Sequence, residues 1–173
     1  MMIRAKTILI CLLSAAVPTL ATAQEDTVPK PKGNWQEIDV QDMDIRELGN
    51  ALGIDLTNAY LKYRQDVGIE DSVKFKVSRP DINKDGKVDL ILFIESPYDC
   101  GQIGCTINVY TAPLEKTFNP FDEEQPTFST LAMDVLIDPS VKADMAELLV
   151  YNGVNQSYVP FSWDGKRYTR RNN

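Results

Sequence analysis

Asp81-Ile-Asn-Lys-Asp-Gly-Lys-Val-Asp89 runs directly into Leu90-Ile-Leu-Phe-Ile94. Oxygen-bearing side chains recur at alternate positions, Asp81, Asn83, Asp85 and Asp89, and Gly86 stands where such a loop must turn sharply. The five residues that follow are all apolar. They have no polar face to give to water, so they read as a central strand buried on both sides. An acidic turn joined to a core strand therefore sets the frame for what lies on either side.

Before the loop, Val73-Lys-Phe-Lys-Val77 alternates apolar and basic residues, the pattern of a half-exposed strand, and Pro80 ends it. After the core strand, Thr106-Ile-Asn-Val-Tyr110 alternates again and is expected to run antiparallel to it. Residues 73–112 thus read as a three-stranded meander. Residues 113–126 form a loop, with Phe118 and Phe121 placed to pin it to the core. Phe128 to Ile137 reads as one further strand, broken by Asp138-Pro139-Ser140, and residues 141–147 are ambiguous. Leu148 to Tyr151 is a strand, Asn152-Gly153 a tight turn, and Ser157 to Thr169 a terminal hairpin about Asp164-Gly165.

Toward the N-terminus, Asp44-Ile-Arg-Glu47 has the spacing of a capping box. Leu48, Leu52, Leu56, Tyr60 and Val67 follow at helical spacing. Gly53 either sits inside one helix or splits it into two, with Asp55 capping the second. In both versions residues 44–66 supply one amphipathic layer. Helix first and strands after predicts an α+β fold, an N-terminal helical layer packed on a mostly antiparallel sheet, as a single domain over residues 35–173.

Residues 1–23 read as a signal peptide: a basic start with Arg4 and Lys6, an apolar run, and Ala21-Thr22-Ala23 before the cleavage point. The apolar run is too short, and too soon broken by Pro18, to span a membrane. Residues 24–34, polar and with Pro29 and Pro31, read as a disordered lead-in. The expectation is an exported protein, periplasmic or secreted, without membrane insertion. A lipidated Cys11 is the alternative, but it is preceded by Ile10 rather than a small residue. Loss of Arg4 and Lys6 takes the net charge from −7 to −9. That surface disfavours nucleic acid and suits cations, although solubility alone explains it equally well. Cys100 and Cys105 remain, and in an oxidising compartment they are expected to pair. A redox role is the alternative, but redox dithiols favour a two-residue spacing and here it is four.

Calcium takes six to eight oxygens, and a short loop supplies many of them when alternate residues point inward. Asp81, Asn83 and Asp85 occupy the first, third and fifth positions, Lys87 offers its backbone carbonyl at the seventh, and Asp89 stands at the ninth. Glu95 is a candidate for a further ligand. The alternative is an Asx-rich turn without metal, its charge partly offset by Lys84 and Lys87. The chain holds no histidine, which excludes serine–histidine and cysteine–histidine catalysis and histidine metal sites. Composition does not exclude a pair of catalytic carboxylates.

Asp81-x-Asn83-x-Asp85-Gly86-x-x-Asp89 resembles the calcium loops of EF-hands, dockerins and FG-GAP repeats. It departs from the EF-hand at the twelfth position, where Leu92 replaces a bidentate Glu, and in being followed by a strand; this is nearer the FG-GAP form. More widely, the loop, Cys100 to Cys105 and Trp163-Asp-Gly-Lys166-x-Tyr168 resemble uncharacterised exported proteins of Gram-negative bacteria, which implies no activity. The combined expectation is a non-enzymatic, calcium-stabilised periplasmic binding or accessory domain, its partner an unknown protein or envelope ligand. The competing expectation is a carboxylate-based or metal-assisted hydrolase.

Overall fold

A computed structural model describes residues 29–171, except 31, 71, 123 and 141–143. The expected signal peptide and residues 24–28 of the expected lead-in lie outside the described residues. The chain runs β1 (Gln36–Glu37), β2 (Gln41–Met43), α1 (Ile45–Leu52), α2 (Thr57–Val67), β3 (Lys74–Ser78), β4 (Leu90–Glu95), β5 (Cys100–Gly101) and β6 (Gly104–Tyr110). It continues through β7 (Phe128–Ala132), β8 (Asp134–Asp138), β9 (Glu147–Asn152), β10 (Ser157–Trp163) and β11 (Tyr168–Arg170). Every strand pairing is antiparallel.

The meander over residues 73–112 forms as read: β3 pairs with β4 and β4 with β6. With β2, β5 and β7 these strands make a six-stranded sheet, while β1, β8, β9, β10 and β11 make a five-stranded one. One core lies between the sheets, where Ile91, Phe93, Ile107 and Val109 meet Val135, Leu148, Val150 and Tyr168. A second core lies on the other face of the six-stranded sheet, around Phe75, Val77, Leu90, Leu92 and Ile94. β4 sits inside both cores, and Leu90 through Ile94 are all buried. That is why these five residues of β4 carry no polar side chain.

The expected α+β arrangement with a helical layer does not form. The molecule is mostly β, two antiparallel sheets with two short helices of 8 and 11 residues among the described residues. The local signals were sound. Asp44 accepts the Arg46 and Glu47 amides and donates its own amide to Glu47 Oε2, completing the capping box. Gly53, at φ 68°, then ends α1 after two turns. α2 buries none of its residues and leaves Leu61 56% exposed. Two pieces this short cannot tile a six-stranded sheet. Leu48 and Leu56 cover part of its outer face, and Phe118 from the 113–126 loop covers more. The strands after residue 133, expected to extend the same sheet, form the second one instead.

Candidate functional site

The Asp81–Asp89 loop spans from β3 to β4, and its root is set in the core. Ile82 is 1% exposed and belongs to the cluster between the sheets; its carbonyl accepts the Ala146 amide at 2.7 Å. Asp89 is also 1% exposed. Its Oδ2 accepts the Ile82 amide at 2.8 Å and its Oδ1 the Ala112 amide at 2.7 Å, while its own amide donates to Pro80 O at 2.8 Å. One buried carboxylate therefore closes the base of the loop and ties it to the chain leaving β6. Two amide donors compensate its burial, as a buried charge requires.

The outer part of the loop is built differently. Asp81 Oδ2 accepts the Gly86 amide at 3.0 Å, Asn83 Oδ1 the Asp85 amide at 3.1 Å, and Asp85 Oδ1 the Lys87 amide at 2.8 Å. These three bonds turn alternate side chains in toward the loop's own backbone. Lys84 at φ 56° and Gly86 at φ 81° supply the left-handed residues that let the chain double back. The Lys87 amide, set against desolvation, holds the Asp85 carboxyl below its usual range, with the Lys87 ammonium, 3.6 Å from Asp85 Oδ2, adding to the effect. Asp81 keeps a second oxygen that accepts no hydrogen bond among the described residues, and the second oxygen of Asp85 faces the Lys87 ammonium.

The five expected ligands therefore separate into two groups. Asp81, Asn83 and Asp85 share the exposed loop with the Lys87 carbonyl, whereas Asp89 is built into the wall beneath it. Three side-chain oxygens and one carbonyl are donors of the right hardness for calcium but fall short of its six to eight, so water would complete the shell. Among the described residues, no three His, Cys, Asp or Glu side chains gather as a metal-holding group. The loop's donor set instead draws on an amide and a backbone carbonyl. Glu95 takes no part. It pairs with Lys76 at 2.6 Å across β3 and β4, six extended residues, roughly 20 Å, beyond Asp89.

The far end of β4 is closed by a disulfide. Cys100 and Cys105 are bonded to each other and face one another across the β5–β6 hairpin. Beside them lies a polar cluster that the sequence reading missed. Asp99 Oδ2 accepts the hydroxyls of Tyr63 and Ser96, and Ser96 Oγ accepts the Tyr98 and Asp99 amides. Ser96-Pro-Tyr-Asp99 carries the turn chemistry for the local part, but Tyr63 comes from α2, 36 residues away from Asp99. Burial and the Asp99 carboxylate push the Tyr63 hydroxyl well above its usual range.

Among carboxylates with a displaced pKa, Asp55, Asp85, Asp138 and Asp164 all move down. At Asp55 the Thr57 hydroxyl and amide do this, and at Asp164 the Arg167 and Lys166 amides. At Asp138 burial pushes upward, but the Ser140 hydroxyl and amide and the Asn34 amide outweigh it. Downward shifts hold an acid in its ionised form, the opposite of what general-acid work needs. No helix among the described residues is long and apolar enough to cross a membrane. Compared with known proteins, the chain matches no family model, no curated protein and no solved structure.

Proposed function

We propose that this chain is an exported, non-enzymatic binding or accessory domain of the cell envelope, whose Asp81–Asp89 loop takes one calcium ion. The observation that carries the metal reading is the inward turn of Asp81, Asn83 and Asp85, each held by a loop amide and each with acceptor capacity to spare. Asp81 and Asp85 bring like charges to a short loop, which a cation relieves. The disulfide supports an oxidising compartment. The ion's role here is structural: it fixes the loop that leads into β4, while Cys100–Cys105 fixes the turn that leaves it.

Calorimetry on the folded protein tests this. An ion that binds only the native state raises stability, by about 1.4 kcal/mol at a tenfold excess over Kd. The melting temperature is expected to rise by a few degrees between EDTA and millimolar calcium, and Asp85→Ala to abolish the rise. An unchanged melting temperature in the wild type, or an equal rise in Asp85→Ala, refutes the metal reading.

A further inference from the structure

The outer face of the six-stranded sheet changes character along its width. Over β3 and β4 it is apolar and covered; over β6 and β7 the same face carries Thr106, Asn108, Ser129 and Leu131, paired as Thr106 with Leu131 and Asn108 with Ser129. A cavity of about 440 Å³ opens there. Tyr63 and Phe121, stacked with centroids 4.2 Å apart, stand on one side, and the Tyr98–Asp99 turn contributes to the rim. That volume lies within the range of small-molecule sites.

Two features of the lining are unfinished. Asn108 is 5% exposed, and its Oδ1 is buried without a hydrogen-bond partner among the described residues. Its orientation is fixed from the other side, because Nδ2 donates to Tyr110 Oη at 3.1 Å while the Tyr110 hydroxyl donates to the Pro120 carbonyl at 3.0 Å. An orphaned buried acceptor is a standing cost, and this one lies beneath the groove floor, shielded from solvent. Asp99 uses Oδ2 for the Tyr63 and Ser96 hydroxyls, and Oδ1 receives no bond among the described residues. Beside them Tyr98, 65% exposed, stands at the rim.

We infer that this groove binds a neutral saccharide unit of a glycan. Among the described residues the lining carries no cation, so a phosphate or carboxylate ligand would meet only the charge of Asp99. An apolar ligand would desolvate Asp99 and the Thr106 and Ser129 hydroxyls and return no hydrogen bond. Sugar hydroxyls both donate and accept. They answer the free oxygen of Asp99 and the hydroxyls of Thr106 and Ser129, while the C–H face of a pyranose packs on the Tyr98 ring. A lysine-bearing peptide would neutralise Asp99 but leave the hydroxyl-lined floor unused.

The groove assignment rests on the reading of the chain as a binding domain, and not on the calcium loop. The test is an amide-resolved NMR titration of the whole folded protein with maltotriose, mannotriose and chitotriose up to about 10 mM, which fills a millimolar site. A lysine-containing tripeptide serves as the competing arm. At least one saccharide is expected to move the amide signals of Thr106, Asn108, Ser129 and Leu131. Tyr98→Ala is expected to weaken that binding about tenfold at an unchanged melting temperature, and Leu131→Arg, a change at an exposed position, to block it. Silence from all three saccharides, shifts confined to other residues, or a response to the peptide alone overturns the assignment. The calcium melting shift measured on the same sample keeps the two readings apart. If it is present without saccharide shifts, only the groove assignment fails; if it is absent with them, only the metal reading fails.

Discussion

At the scale of single residues, the acidic loop divides its labour. Asp81, Asn83 and Asp85 organise the exposed turn, and Asp89 holds the turn to the core. Alternation alone could not separate these roles, because all four positions carry an oxygen-bearing side chain at the expected spacing. What separates them is burial, decided by partners distant in sequence: Ala112, which donates to Asp89, lies 23 residues away. Substitutions should therefore split the motif. Asp89→Asn keeps the shape but turns an NH2 group toward one of two buried amide donors. It is expected to cost about 3 kcal/mol with or without calcium, read as a shift of the urea midpoint at unchanged m-value. Asp85→Ala removes one exposed hydrogen bond and is expected to cost under about 1 kcal/mol in EDTA. Equal losses at the two positions would contradict the division.

At the scale of elements, the strands from β3 to β6 were legible because each solves a local problem in its own sequence. β4 is apolar from Leu90 to Ile94 because both its faces are covered there, and β3 alternates because one of its faces is not. The run from Phe128 to Ile137 was read as one strand and is two, in different sheets. The parity of its inward residues marks the break. Ala132 and Val135 both enter the core between the sheets, three positions apart, so the two-residue period slips at Met133. A corner of this kind needs room, and Gly104 provides it. A Cβ there would lie 2.0 Å from the Ala132 carbonyl carbon and 2.2 Å from its oxygen, on a residue already at φ 138°. Gly104→Ala is thus expected to cost about 4 kcal/mol, by backbone collision and strain together. Gly101→Ala, in the same hairpin with nothing within 4 Å of the added atom, is expected to stay within about 0.5 kcal/mol. Thermal melting of the two variants side by side checks the pair. The terminal hairpin shows a smaller slip: the Asp164 amide donates to Arg167 O, so Gly165 and Lys166 form the turn and Asp164 accepts their neighbouring amides from the position before it.

At the scale of the whole molecule, the chain begins in the five-stranded sheet with β1, crosses to build the six-stranded sheet, and returns at Met133. This is the part of the fold that was not legible. Gln36 pairs with Ile137, about a hundred residues apart, and no local period announces such a partner. The helical pattern over residues 44–66 yields two short helices that cover only part of the outer face of β4, while the second sheet covers the other face. The groove beside Tyr63 was hidden for the same reason, since α2, the Ser96–Asp99 turn, β6 and β7 converge there only in the folded chain. The loop and the disulfide, each contained in a short span, bracket β4 and hold the strand common to both cores at its two ends.

The most direct test of the calcium-loop reading is a crystal structure grown with calcium, with the anomalous difference density examined at the loop. The expected result is one peak coordinated by Asp81, Asn83, Asp85 and the Lys87 carbonyl, with Asp89 still bonded to the Ile82 and Ala112 amides. Well-ordered loop density without a peak, or a peak held by other residues, would contradict it.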